Sequence, residues 1–420
     1  MASQGTLWHY LTRVWGTGGR EFESRRSDQH LTGISTVFSG AWSASTDGGV
    51  KAIDAISAIE AVTGDFKSMP DRSAPPQARQ SPSRRRVLGI SCCAAAMALG
   101  HRCFAATDEP SAIDVHHHVS PPAWLVAAKD QISATNRNST TVTEWTPQRS
   151  LDDMDQNGIR TSMASITNPG IWFGDAAKAR RLARDCNDYM ANLKRDFAGR
   201  FGGLAALPMP DADGSLDEIR YALDVLKLDG IGLMTNYDDK WLGDAVFAPV
   251  LEELDRRNAA VYVHPTSSSC CMAPIPDVSP SVIEFPLDTT RTIVSLLFNG
   301  SLARFQNINW IFSHAGGTLP MLAERISNII EAQPRLRPRV PSGAMHELKR
   351  LYYDLAQGSS AIQLAALTKM VPTSQIVFGS DFPFWSARAA QEGMKAWDFD
   401  APAKDAIWHG NARRLFKTLG

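Results

Sequence analysis

The chain has no Cys-X-X-Cys pair, no excess of either charge, and no glycine fingerprint after its first predicted strand. Each absence removes a class of protein. Without paired cysteines at ligand spacing, a cysteine-built zinc site is not expected. Six cysteines are present, but Cys92, Cys93 and Cys103 fall in one stretch read below as removed. Cys186, Cys270 and Cys271 remain, an odd number, and sequence neighbours such as Cys270 and Cys271 seldom bridge each other. They are expected to be inert loop thiols, because no basic partner is evident to activate them. A formal net charge of −1, from 43 Lys and Arg against 44 Asp and Glu, gives no electrostatic pull toward nucleic acid or an acidic membrane surface. The missing glycine fingerprint weighs against a doubly wound dinucleotide-binding sheet.

What is present falls into three zones. Residues 1–68 hold scattered Ser, Gly and Arg and one helical-looking run, "VKAIDAISAIEAV". They are expected to be a poorly ordered extension or a start assigned too far upstream, with Met69 as the working start. Residues 69–106 contain the cluster Arg84, Arg85 and Arg86, an apolar run over 87–100, and small residues at Ala105 and Ala106. This is the layout of a secretory signal, and its run is shorter than the roughly 20 residues a membrane-spanning helix needs. Consecutive arginines followed by Val-Leu resemble a twin-arginine signal, which predicts a periplasmic or secreted protein, with the cytoplasm as the alternative. No membrane anchor is expected after its removal.

Residues 107–420 alternate between strand-length apolar runs and helical-period stretches. The runs are "AIDVHHHV", "SMASIT", "GGLAALP", "GIGLMTN", "AVYVHP", "INWIFSH", "LYYDLA" and "IVFGSDF". Between them lie stretches such as "AAKARRLARDCNDYMANLKRDF" and "FAPVLEELDRRN". Eight such strands with helical intervals predict an α/β fold, a (β/α)8 TIM barrel. The interval after strand one contains "NRNSTTVTEW" (136–145), which reads as a small strand in an insertion over the barrel mouth.

In such barrels, chemistry gathers at the C-terminal ends of the strands. His116 and His118 end strand one, His264 strand five, His314 strand six, and Asp381 strand eight. Four of only ten histidines fall at these ends, which predicts a metal site. Strand alternation points His116 and His118 into the mouth and His117 toward the helix layer, as a structural residue. The same rule puts Asp114 on the face of His116, where it either orients a ligand histidine or packs. Imidazoles with one carboxylate suit Zn2+, with Mn2+ or Fe2+ as alternatives. Strand four ends at Asn236, with Lys240 further on, so no lysine stands where a carboxylated one would bridge two metals; one divalent ion is expected.

Taken together, "DVHHHVSPP", "VYVHP", "IFSHAGGTLPMLAERI", "VFGSDFPF" and "HGNARRLF" resemble the amidohydrolase-related family, in the branch around aminocarboxymuconate semialdehyde decarboxylase. "FPLDTTRTIVSLLFNGSLARF" and "LYYDLA" are similar to the 6-methylsalicylate decarboxylase type. The resemblance implies that His116, His118, His264 and Asp381 hold the metal, and that His314 and Asp381 move protons. It implies that Arg325 meets the carboxylate of a small aromatic substrate across a homodimer interface; Arg291 is a weaker anion-binding candidate. The implied reaction is non-oxidative decarboxylation of a hydroxybenzoate or 6-methylsalicylate-like acid. A metal-dependent hydrolase of a lactone, ester or amide would use the same constellation, and an exported metal-binding barrel without catalysis is the third reading.

Overall fold

The computed structural model describes residues 111–135, 139–271 and 275–419. The expected extension and signal segment lie outside the described residues.

Eight parallel strands carry the sheet: β1 (Ala112–His118), β2 (Ile159–Ser165), β3 (Phe201–Ala206), β4 (Gly230–Met234), β5 (Ala260–His264), β6 (Asn309–Phe312), β7 (Tyr352–Asp354) and β8 (Ile376–Val377). They pair in chain order. The chain beyond β8 then returns to β1. Val115 N–H donates to Phe378 O at 3.0 Å, His118 N–H to Phe382 O at 2.7 Å, and Asp381 N–H to His116 O at 2.8 Å. The barrel is thereby joined edge to edge, which leaves no open strand edge there. Each of the eight barrel strands predicted from the sequence is found, with ends shifted by a few residues.

Inside the barrel, Ile113, Val115, Met163, Leu204, Tyr262 and Ile311 form an apolar plug, capped below by Ala412, Leu415 and Phe416. The plug is why the site can sit only at the upper mouth: the interior is packed solid beneath it. A larger apolar layer lies between the strands and the surrounding helices. Among the described residues, no helix is long and apolar enough to cross a membrane.

The insertion after β1 is present, but it contains helices rather than a strand: Pro122–Ala127, Lys129–Thr135 and Ser139–Thr143. The β-branched residues of "STTVT" suggest a strand by propensity. Val142 instead buries in a cluster with Trp124, Ile132, Ile166, Ile171 and Leu182, and that packing overrides local preference. The indole of Trp124 donates to Gly170 O at 2.8 Å. The insertion thus packs beside the rim against the helix Ala176–Asp196, and no described residue of it lines the mouth cavity.

Candidate metal centre

β1 does not alternate strictly. Its pairing with β2 slips by one residue between Asp114 and His117. Val115 belongs to the inner plug, and His116, the next residue, also faces the barrel axis. This bulge corrects one expectation: Asp114 lies with His117, not with His116. Its Oδ2 accepts from the His117 ring at 3.1 Å and from Ser380 Oγ at 2.6 Å. Its Oδ1 accepts the backbone N–H of His116 and of Ser380. Asp114 therefore ties β1 to the segment carrying Asp381, and acts on the site through the backbone.

His117 points away from the mouth, as expected. Its Nε2 lies 2.8 Å from Ser150 Oγ, and its ring stacks on Phe382 at 4.7 Å. His117→Ala would take one hydrogen bond each from buried Asp114 and Ser150 and open a cavity. Unfolding free energy should fall by about 2–4 kcal/mol, read from denaturation midpoints, while metal content per chain stays at the wild-type value. Loss of metal without loss of stability would contradict this assignment.

His116, His118, His264 and Asp381 bring one ligand atom each to within 4.8 Å of one another, all of them buried. His116 Nε2 and His118 Nε2 are 3.0 Å apart. They stand 3.2 and 3.3 Å from Asp381 Oδ1, which is buried and accepts no hydrogen bond. The other ring nitrogens explain what these atoms are for. His116 Nδ1 faces the Asp354 carboxylate at 2.9 Å, and His264 Nδ1 faces Pro265 O at 2.8 Å. Both partners are acceptors, so each Nδ1 carries the proton and each Nε2 keeps its lone pair. His118 Nδ1 is 3.1 Å from Ser165 Oγ, whose own hydrogen is spent on His117 O. Three imidazole lone pairs and an orphaned carboxylate oxygen converging on one point form a donor set that fits a divalent cation.

Until a cation takes His116 Nε2, the flanking carboxylates favour a second proton there. Burial alone would lower the His116 pKa, but the flanking carboxylates of Asp354 and Asp381 outweigh it and raise it to about 10. His118 is lowered to about 4, chiefly by burial. His264 is pushed well below its usual range by burial and by the neighbouring histidines. Burial would raise Asp381; the charge of His116 outweighs this and holds it well below the usual carboxylate range. The field wants one positive charge where the donors meet.

His314 stands beside this set. Its Nε2 is 3.4 Å from Asp381 Oδ2, and its Nδ1 has no hydrogen-bond partner. Gln357 also donates to Asp381 Oδ2. Positive φ angles occur at His314, Ala315, Gln357 and Asp381, a conformation that costs a non-glycine residue free energy and here clusters at one mouth. Gly317, also at positive φ, lets the loop after β6 run against the carbonyl of Pro286 where no Cβ would fit.

Above the donors opens a cavity of about 680 Å³, walled by Phe285 and Phe384 and bounded by Asn168, His314, Gln357 and Trp385. The Phe285 ring stands edge-on to His264 at 6.1 Å, and the Phe384 ring to His118 at 6.0 Å. Both rings border the space above the donors.

The two arginines are elsewhere. Arg291 lies 3.7 Å from Asp288 and 3.8 Å from Glu284, both on its own helix, Pro280–Asn299, and does not line the cavity. Arg325 is exposed on the helix Leu319–Ala332 and is also away from the cavity of its own chain. Cys270 and Cys271 correct another expectation: they are bonded to each other. They sit in a tight turn pinned at Ser269, whose N–H donates to Asp239 Oδ1 at 2.6 Å, so neither is a free thiol. Asp354 and Gln357 were not singled out from the sequence. Asp354 could have been, because it ends β7 as the ligand residues end their own strands.

The amidohydrolase family model matches residues 113–418. The chain is 35% identical over 321 residues to the decarboxylase macB of Penicillium terrestre, covering 72% of this chain and 94% of that one. It is 33% identical over 314 residues to the 6-methylsalicylic acid decarboxylase of Penicillium expansum, covering 73% and 96%. Among solved structures, the 5-carboxyvanillate decarboxylase of Novosphingobium aromaticivorans, complexed with manganese and 4-hydroxy-3-methoxy-5-nitrobenzoic acid, superposes with a TM-score of 0.66. It is 19% identical and covers 74% of this chain and 97% of its own.

Proposed function

The chain belongs to the amidohydrolase family, and from that premise we propose that it is a metal-dependent, non-oxidative decarboxylase of an aromatic carboxylic acid. The observation that carries the reading is the complete donor set beneath an aromatic-walled cavity, in a chain that spans nearly the whole of two decarboxylases. His116, His118, His264 and Asp381 would hold one divalent ion. Zn2+ is the first choice and Mn2+ the alternative, since the related fold from Novosphingobium holds manganese and this donor set suits both. Bound there, the ion supplies positive charge to the substrate's oxygens.

The chain's own groups do the rest. Phe285 and Phe384 hold the ring and shed water around it. His314 Nε2, beside Asp381, is placed to deliver a proton to the ring carbon that bears the carboxylate. That carbon becomes tetrahedral, the bond to the carboxylate breaks, CO2 leaves, and its electron pair restores the aromatic ring.

The cavity wall holds no lysine or arginine among the described residues. A cation for the carboxylate would come from a second copy, as a homodimer placing Arg325 at its neighbour's mouth. In support, Arg325 is exposed on a helix stripe with Met321 and Ile329, whose apolar side chains are 73% and 40% exposed. The proposal also includes export through a signal in residues 69–106. N-terminal sequencing of the mature chain should then start near Thr107, and peptides recovered from residues 1–68 would refute the upstream reading.

The test is CO2 release from salicylate-type acids by the metal-loaded protein, set beside lactone hydrolysis. CO2 evolution is expected. Lactone opening without CO2 would replace this reading with hydrolysis.

A further inference from the structure

We infer that the mouth selects aromatic monocarboxylates bearing an uncharged apolar ring substituent longer than a methyl group. The inference rests on the decarboxylase reading for the position of the reacting carboxylate, and it is carried by three observations about the outer cavity.

The first is size. A single hydroxybenzoate occupies on the order of 150 Å³, about the volume of five waters, whereas the cavity holds about 680 Å³. The remaining space lies away from the donors, toward the rim.

The second is what the rim presents there. Val282, in the first turn of the helix Pro280–Asn299, is 63% exposed, and Trp385, just past Asp381, is 51% exposed. Both line the cavity with Phe285 and Phe384. Large apolar side chains left open to water at the entrance of a pocket are a surface for an apolar group to cover.

The third is charge. The charged or titratable side chains of the cavity wall are Asp381, His264 and His314, all at the metal end. The neutral polar groups of the wall are partly engaged and carry no charge. Ser279 and Ser281 bond each other at 2.9 Å, Gln363 donates to Gln357 O at 2.9 Å, and Asn168 Oδ1 accepts from Thr266 at 2.7 Å. A second carboxylate on the ring would lose water there and meet no cation of its own chain, and an Arg325 from a second copy would already be paired with the reacting carboxylate, so its burial is costly. An alkyl chain meets Val282, Phe285 and Trp385 instead.

The experiment uses the full-length, metal-loaded protein with salicylates carrying hydrogen, methyl, propyl or pentyl at one ring position, and a salicylate carrying a second carboxylate there. CO2 release gives kcat/KM. Calorimetric titration with the corresponding alkylphenols, which have no carboxylate to lose, gives binding without turnover. Both should rise about threefold per methylene through propyl, and the dicarboxylate should react at least on the order of 100-fold more slowly than salicylate. Val282→Lys should flatten the alkyl series and raise the dicarboxylate relative to salicylate; its exposed position spares the fold. A flat or falling wild-type series, a dicarboxylate equal to salicylate, or an unchanged gradient in Val282→Lys would overturn the inference. CO2 release with a flat series leaves the decarboxylase reading standing. Graded phenol binding without CO2 removes that reading and keeps the apolar-substituent pocket.

Discussion

His118→Ala should remove metal and turnover together. His118 Nε2 lies 3.0 Å from His116 Nε2 and 3.3 Å from Asp381 Oδ1, so its loss takes one of four donors from the centre. Structural zinc sites of four ligands are worth about 10–16 kcal/mol at neutral pH. An even share per ligand is about 2.5–4 kcal/mol, or roughly two to three orders of magnitude in affinity. Dialysed variant should retain less than a tenth of the wild-type metal, and CO2 release should fall at least 1,000-fold. His118 is buried, so a circular dichroism spectrum and melting curve must accompany the assay, and His118→Asn supplies a polar, less hollow replacement. A chelator should reproduce the defect in the wild type, and added metal should reverse it. A folded variant with full activity and no bound metal would refute the site.

The second large effect should come from a residue that touches no metal. Asp354→Asn keeps the shape of the side chain and inverts the hydrogen bonds at Oδ2, those with His116 Nδ1 and the Tyr262 hydroxyl. In the native chain, Asp354 Oδ1 accepts the N–H groups of His314 and Ala356 at 2.9 and 3.0 Å. Asparagine's oxygen will keep that place, which turns its NH2 toward His116 Nδ1. An NH2 can only donate, so Nδ1 must accept, and the ring proton moves to Nε2. His116 then presents N–H where it presented a lone pair. Metal affinity should drop about 100-fold, the upper range for groups that orient a ligand histidine. Metal titration followed by calorimetry reads this directly. Wild-type affinity in a folded Asp354→Asn would show that the ring of His116 is set by something else. Asp354→Ala tests less cleanly, because it also abandons two buried N–H groups and the Tyr262 hydroxyl at 3.3 Å.

Much of the centre was readable from the sequence because barrel geometry concentrates chemistry where strands stop. His116 with His118, His264, and Asp381 come from three distant stretches of the chain, yet each stretch is an apolar run of strand length, and that position is visible one strand at a time. Period-two alternation separated His117 from its neighbours for the same reason. It failed one step earlier, at Asp114, because a bulge depends on how β1 registers against β2, which a single strand does not reveal. Asp354 escaped because its meaning lies in a partner 238 residues away. The short helix Ser139–Thr143 escaped because its β-branched residues take their conformation from Trp124 and its neighbours. The Cys270–Cys271 bond escaped because it runs against the usual behaviour of adjacent cysteines.

The four left-handed residues at the mouth bear on how this protein could be engineered. Each forced conformation of that kind carries about 1–3 kcal/mol. A search for heat-tolerant variants would therefore be drawn to glycine at Ala315, Gln357 or even His314 and Asp381, where relief is concentrated. Those gains would come from the loops that aim the proposed proton donor and the proposed carboxylate ligand, so the easiest route to a tougher protein would run through a poorer catalyst. Selection for thermostability should accordingly be restricted to the helix layer and the floor of the barrel, with residues 314–317, 357 and 381 held fixed.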